Sequence, residues 1–431
     1  MMRALYTTLV YLALPFLPLR LWWRGRKEPG YRERIGERFG RYANAPAVRS
    51  PVLWIHAVSL GETRASVPLV EHAKKAFPQA TVLVTHMTAT GRAAGRALFG
   101  DRVVQAWLPY DAPFAIRAFF ARWRPAAGLL IETELWPNIV AAAADNGVPL
   151  FLVNARLSER SAAGYARIPS LARPMLAALT GVAAQAEADA RRLAALGARA
   201  PVVTGNLKFD IEPTADAYTL GGELKLRFGS ARPVFVAAAT RDGEEALIVD
   251  ALVARPLPAG TLTVIVPRHP QRFATVADLL RERGIPFVRR SDNVPVPEDV
   301  GVVLGDSMGE LAAYYVTADV AFVGGGLLPL GGQNLIEPIA AGCPTIVGPH
   351  MFNFADATRS ALAAGAALEV ADATALIETV GALLRDPPGR ERMRAAAIAF
   401  HAAHRGAAER LWTWLVPQLP EALTASRATG G

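Results

Sequence analysis

Several carboxylates and basic residues in this sequence stand directly behind short β-branched runs, where a parallel sheet would deliver them to a ligand-binding edge. The first such junction reads His56-Ala57-Val58-Ser59-Leu60-Gly61-Glu62-Thr63. Gly61 permits a tight turn, and Glu62 follows at the start of a predicted helix. There it can take a proton inside a cleft, or simply complement the helix dipole. A second junction, Ile131-Glu132-Thr133-Glu134-Leu135-Trp136-Pro137-Asn138, carries two carboxylates that are costly to bury without partners. They either line a cleft or pair with arginines such as Arg156 and Arg160 of the Asn154–Ser161 segment. A third, Gly205-Asn206-Leu207-Lys208-Phe209-Asp210, offers the cation of Lys208.

In the second half, Pro267-Arg268-His269-Pro270 closes a strand with two groups able to donate to a phosphate. Gly305-Asp306-Ser307-Met308-Gly309-Glu310-Leu311 reads as a loop opening a helix, whose free N–H groups can meet an anion. The glycine-rich run from Gly324 to Gly332 lets backbone approach a ligand closely. A helix is expected from near Gln333, with Glu337 about one turn in and suited to a ribose diol. The glycine spacing is not that of a dinucleotide fingerprint. The histidines show no metal-ligand spacing, so no metal or other cofactor is expected. Cys343 between Gly342 and Pro344 reads as a small core residue, and no Gly-x-Ser-x-Gly elbow supports serine hydrolysis.

These junctions need strands to hold them. Candidate strands fall at Val52–Ala57, Thr81–Thr85, Val103–Trp107, Gly128–Ile131, Pro149–Val153, Val182–Gln185 and Val202–Thr204, with helices such as Glu62–Ala76, Pro113–Trp123 and Pro137–Asn146 between them. The pattern lapses over Asp210–Arg232, which reads as a connection. It restarts at Val234–Ala239, Thr261–Val266, Pro286–Val288, Val302–Leu304, Val320–Val323 and Thr345–Val347, and Met393–Trp414 reads as one or two helices. Such alternation implies an α/β protein with parallel sheets covered on both faces. The expected division is 1–45, a basic and apolar amino-terminal segment; 46–212 and 233–415, two Rossmann-like domains facing across a cleft; 213–232, a linker; and 416–431, a tail.

The composition fits that division. With 431 residues, 52% of them hydrophobic and 19% charged, the chain is too long for one core and too apolar for a disordered one. One cysteine excludes a disulfide framework. Yet the net charge is +8 and mean hydropathy is +0.22. Both excesses concentrate at the start. Ala4–Leu19 carries no charge, but as a helix it would reach only about 24 Å, and Pro15 and Pro18 would break it. Trp22 and Trp23 follow, among Arg20, Arg24, Arg26, Lys27, Arg32, Arg34, Arg38 and Arg41. Tryptophans at headgroup depth and cations beside anionic lipid point to a membrane anchor with the body in the cytoplasm. A cleaved signal peptide lacks its cleavage site and has its charges on the wrong side. A buried core helix is the other reading.

The sequence resembles the 3-deoxy-D-manno-octulosonic acid (Kdo) transferases of lipopolysaccharide biosynthesis over essentially its whole length. Ser59–Glu62, Glu132–Asn138, Asn154–Ser161, Gly205–Asp210, Arg268–Pro270, Met308–Glu310, Gly331–Glu337 and Pro349-His350-Met351-Phe352-Asn353-Phe354 carry the resemblance, in that order. It implies a GT-B glycosyltransferase at the cytoplasmic face of the inner membrane. The donor would be CMP-Kdo, bound by the second domain. The acceptor would be the tetraacyl disaccharide bisphosphate precursor of lipid A (lipid IVA), bound by the first. By resemblance Glu62 matches the catalytic base, and Glu132 and Lys208 match positions that stabilise the transition state. Arg268, His269, Met308, Gly309, Glu310, Asn334, Leu335, Ile336 and Glu337 match CMP-binding positions. The family often has Gly-Gly-Ser where this chain has Gly324–Gly326, and an imidazole where it has Gln333.

One base without a covalent nucleophile implies inversion at the anomeric centre, and CMP leaves as a stable anion without a separate acid. The competing readings are another GT-B nucleotide-sugar transferase, an epimerase of the same fold, which would need neither lipid acceptor nor anchor, and a non-catalytic membrane scaffold. Nucleic-acid binding would explain the charge alone, but the early arginines lack any recognition-module signature.

Overall fold

The computed structural model describes residues 2–26, 28–43 and 45–424; Lys27 of the basic run and residues 425–431 of the tail lie outside the described residues. Strands buried on both faces need continuous apolar runs rather than alternation, and Val52–His56 and Ala127–Ile131 are buried at every position. The first sheet contains β1 (Val52–His56), β2 (Thr81–His86), β3 (Val104–Trp107), β4 (Ala127–Ile131), β5 (Leu150–Ala155), β6 (Gly181–Ala184) and β7 (Val202–Val203). All its strands are parallel, in the order β3-β2-β1-β4-β5-β6-β7. Trp54, Phe119, Phe120 and Trp123 fill one face. Leu53, Ile55, Phe77 and Trp412 fill the other.

The second sheet contains β8 (Val234–Thr240), β9 (Leu262–Pro267), β10 (Phe287–Arg289), β11 (Val302–Leu304), β12 (Val320–Val323), β13 (Thr345–Val347) and β14 (Ala367–Glu369). It too is parallel, in the order β10-β11-β9-β8-β12-β13-β14, with β14 a strand the sequence pattern does not reveal. In each sheet the strand order reverses beside the first strand, between β1 and β4 and between β8 and β12. Those two reversal points are where an open α/β sheet leaves a crevice for ligands.

The chain divides into residues 1–210 with 406–431 and residues 211–405. The expected 213–232 linker is instead mostly helix, Ala215–Phe228, capped by Thr214 and burying Leu224 and Phe228. Leu220, Leu224 and Phe228 recur every fourth residue, but Gly221 obscures the pattern. That glycine lies against Val316, whose Cγ1 would be 2.9 Å from an added Cβ. The helix Ala407–Leu415 belongs with the first unit, not the second as expected: Leu411, Trp412 and Leu415 complete the core beneath β1. The expected Glu62–Ala76 helix is two, Leu60–Ala65 and Val67–Ala76, because Pro68 can sit only in a first turn.

Asp210 secures the returning helix. Its carboxylate accepts from Gly406 N at 2.6 Å, Ala407 N at 3.2 Å and Ala408 N at 2.5 Å, across nearly two hundred residues of sequence. Asp210→Ala strands those three N–H groups. It is expected to cost the first unit about 1–2 kcal/mol, the upper range for a lost helix cap. Urea unfolding of the full chain, followed by tryptophan fluorescence, checks this.

At the amino terminus, Met2–Arg24 is helical for 23 residues, with mean hydropathy 1.4 over its most apolar window and 6% of that window buried. Pro15 and Pro18 do not break it. Each lies in a first turn, of the 3₁₀ segment Leu14–Phe16 and of the helix Leu17–Arg24, where a missing N–H costs nothing. The helix is tied down by Thr7, whose hydroxyl donates to Asn138 Oδ1 at 3.0 Å. The basic run is not uniformly a surface feature. Arg38 is buried over the Trp107 ring at 3.8 Å and pushed down to about 10 by desolvation.

Candidate active site

The carboxylate expected to do chemistry lies at the reversal point of the first sheet. Ser59 caps the helix Leu60–Ala65, accepting from Glu62 N. Glu62 reaches back so that Oε2 accepts from Val58 N at 2.8 Å and Oε1 from Ser59 Oγ at 2.8 Å. This is a capping box shifted by one residue, so the dipole-complementing role is real. It does not exhaust the residue. Glu62 is 8% exposed, and burial, then the charge of Glu132, push its pKa up to about 7 despite those two hydrogen bonds. A carboxyl poised at neutrality matches what general-base catalysis requires. Gly61 is not in a turn. It is the second helical residue, and a side chain there would reach open space except for Ser59 Oγ at 3.9 Å.

β4, the neighbour across the reversal point, is followed directly by Glu132 at φ 63°. A non-glycine residue rarely adopts that left-handed conformation without compensation. Here Lys208 Nζ, 76 residues away, donates to Glu132 Oε1 at 2.7 Å, with both side chains less than one-fifth exposed. Glu134 turns aside to accept from Trp136 Nε1 at 3.0 Å. The partner of Glu132 is thus Lys208, rather than the arginines the sequence suggested. Backbone conformation and ion pair together bring Glu62, Glu132 and Lys208 to one end of the first sheet. His56, the last residue of β1, is a neutral core residue against Thr85, pushed down to about 3 by burial.

In the second unit, Arg268 and His269 follow β9 as expected. Arg268 Nε donates to Gln333 Oε1 at 3.2 Å, so Gln333 steadies the arginine at the position where the family often has an imidazole. Burial and the nearby Arg268, Arg241 and Arg272 lower the His269 pKa. Met308 is exposed beside Gly309, which takes a positive φ of 85°. Glu310 accepts from Arg290 Nη2 at 3.0 Å and Ser307 Oγ at 2.5 Å. The helix expected from near Gln333 starts later and is short, Ile336–Ala340. Glu337 is its second residue, and Asn334 Nδ2 donates to its Oε1 at 3.2 Å. Leu335 and Ile336 are buried, so their side chains belong to the core, and Ile336 N donates to Asn334 Oδ1 at 3.2 Å.

Glu244 escapes the sequence reading. Fully buried, it accepts from Gly325 N at 2.6 Å, Leu327 N at 3.0 Å and Arg241 N at 2.9 Å, and so holds the glycine-rich loop against β8. Its signal was present: Glu244 and Glu245 follow a strand end at much the same interval as Glu62. Gly332 then closes the loop at φ 76°, where an added Cβ would lie 2.3 Å from Met351 Sδ.

Residues 33–211 match the family described as 3-deoxy-D-manno-octulosonic-acid transferase (kdotransferase), and residues 282–400 match glycosyl transferases group 1. A 3-deoxy-D-manno-octulosonic acid transferase of Bordetella pertussis is 46% identical over 95% of this chain and 97% of its own. The chain belongs to the Kdo transferase family. A second relative of that name, from Haemophilus influenzae, is 38% identical over 97% of this Kdo transferase chain and 99% of its own. Among solved structures, a UDP-GlcNAc 2-epimerase from Neisseria meningitidis matches with a TM-score of 0.58 at 15% identity, covering 85% of this chain and 99% of that one. HepE from Anabaena does so at 14% identity, with a TM-score of 0.58 and coverage of 84% and 98%. These two likenesses establish a shared fold, the GT-B architecture of paired Rossmann-like units. The enzyme is therefore a GT-B glycosyltransferase of the Kdo transferase family.

Proposed function

We propose that this enzyme transfers Kdo from CMP-Kdo to the tetraacyl disaccharide bisphosphate precursor of lipid A, with inversion, at the cytoplasmic face of the inner membrane. The observation that carries the reading is Glu62, a buried carboxylate with its pKa pushed up to about 7 at the sheet's reversal point. An acceptor hydroxyl gives its proton to Glu62 as its oxygen bonds to the anomeric carbon. The bond from that carbon to the CMP phosphate breaks, and its electron pair leaves on the phosphate oxygen. Arg268 and His269 stabilise that charge, and Lys208, held by Glu132, supports the charge redistribution in the transition state. The anchor helix Met2–Arg24 and the exposed Arg20, Arg24, Arg26, Arg32, Arg34 and Arg41 suit an anionic membrane surface and an anionic acylated acceptor.

Mass spectrometry of the products formed from CMP-Kdo and the lipid A precursor tests the reading. A Kdo-bearing lipid with equimolar CMP is expected, and release of UDP from a UDP-sugar in its place would assign a different GT-B activity. The donor site has its own test. Glu337→Ala removes the acceptor for a ribose diol and the partner of Asn334, and is expected to weaken CMP binding about tenfold, the loss of one charged hydrogen bond. An unchanged CMP titration would remove Glu337 from the ribose.

A further inference from the structure

The first unit contains an apolar groove of about 200 Å³ whose lining includes Tyr6, Trp136, Tyr165, Ile168, Leu171 and Met175. Two of its three polar tips are engaged elsewhere: Trp136 Nε1 with Glu134, and the Tyr6 hydroxyl with Asp111. Apart from the Tyr165 hydroxyl, what remains facing the groove is hydrocarbon and ring surface. A peptide would bring more backbone groups than one hydroxyl can bond, and a helix about 10 Å across does not fit such a volume. An unbranched hydrocarbon chain has neither problem.

Two connections say which chain. One wall, Tyr6, belongs to the amino-terminal helix, whose Leu9, Leu12, Phe16 and Leu19 are 58–70% exposed and present an unbroken apolar exterior. Another wall, Trp136, stands four residues beyond Glu132 on the same strand-end segment. The lining thus joins the exposed apolar helix to the segment that carries Glu132. We propose that it binds one acyl chain of the lipid acceptor, setting the depth at which the acceptor's sugar meets Glu62. This rests on the acylated-acceptor reading above.

A tetraacyl acceptor carrying a photoreactive diazirine in its acyl chains is incubated with the full-length enzyme, irradiated and mapped by peptide mass spectrometry. Label on the Trp136 peptide or on residues 165–175 is expected. Label confined to the outer helix face, or lost to excess phosphatidylglycerol vesicles, would overturn the site. A second measurement uses Ile168→Trp, which enlarges a partly exposed lining residue of the groove. Each methylene displaced from an apolar site is worth about fourfold. The ratio of kcat/KM for the tetraacyl over the deacylated acceptor is therefore expected to fall about tenfold or more, and an unchanged ratio would also overturn the site. Wild-type transfer is measured in the same assay. No transfer to either acceptor overturns the functional reading itself, whereas transfer without groove label overturns the acyl site alone.

Discussion

Glu62→Gln is expected to lower kcat for Kdo transfer by about 10²–10⁴-fold, the usual contribution of a positioned general base. Glutamine keeps the shape and can still accept from Val58 N, so the cap persists while the proton acceptor is gone. CMP affinity, governed by residues of the second unit, should stay within about twofold, well under the tenfold that 1.4 kcal/mol represents. Full activity in this variant would remove Glu62 from the role. The wild type carries a matching pH signature. A base that must be ionised, with its pKa pushed up to about 7, makes kcat/KM rise with pH and level off above that value. Stability runs the other way. The native carboxyl holds its proton between the ordinary 4.5 and about 7, where the unfolded chain has released it. Stability from this group is therefore full at low pH and falls as pH rises through that window, by on the order of 3 kcal/mol. Glu62→Gln should flatten that fall, which unfolding curves at pH 5 and pH 8 would show.

Lys208→Met is the second large effect expected, a loss of about 10²–10³ in kcat, the scale for removing one electrostatic contact to a transition state. The substitution also leaves Glu132 with an uncompensated charge, and Glu132 is already the second-largest influence raising the Glu62 pKa. The acid limb of the pH profile should therefore move to higher pH in Lys208→Met. In Glu132→Gln it should move to lower pH. Shifts of the same sign in both variants would show that the pair does not act on Glu62 through charge.

Most strands were legible because parallel strands buried on both faces are simply apolar runs, and short runs such as Val320–Val323 stand out between polar ends. The helix Ala215–Phe228 was not, since Gly221 breaks the pattern for a packing reason that lies on another element, Val316. The proline-bearing amino-terminal helix reads as broken in the sequence because position within a turn, rather than the proline itself, decides the outcome. In the site, the strand-end rule led to Glu62, Glu132 and Lys208 but passed over Glu244. Its place after a strand end is legible, but its bonds to N–H groups some eighty residues away are not.

Local chemistry was enough to establish the α/β class, the residues at the strand ends and the resemblance to Kdo transferases, because each depends on neighbours a few positions apart. Only the tertiary structure joined Lys208 to Glu132, brought Ala407–Leu415 back to the first sheet and closed a groove between Tyr6 and Trp136. It also pushed the Glu62 pKa up to about 7, which a place at a helix start does not do by itself. The reason is physical. Burial and the field of distant charges shift a pKa, and neither exists until the chain is folded.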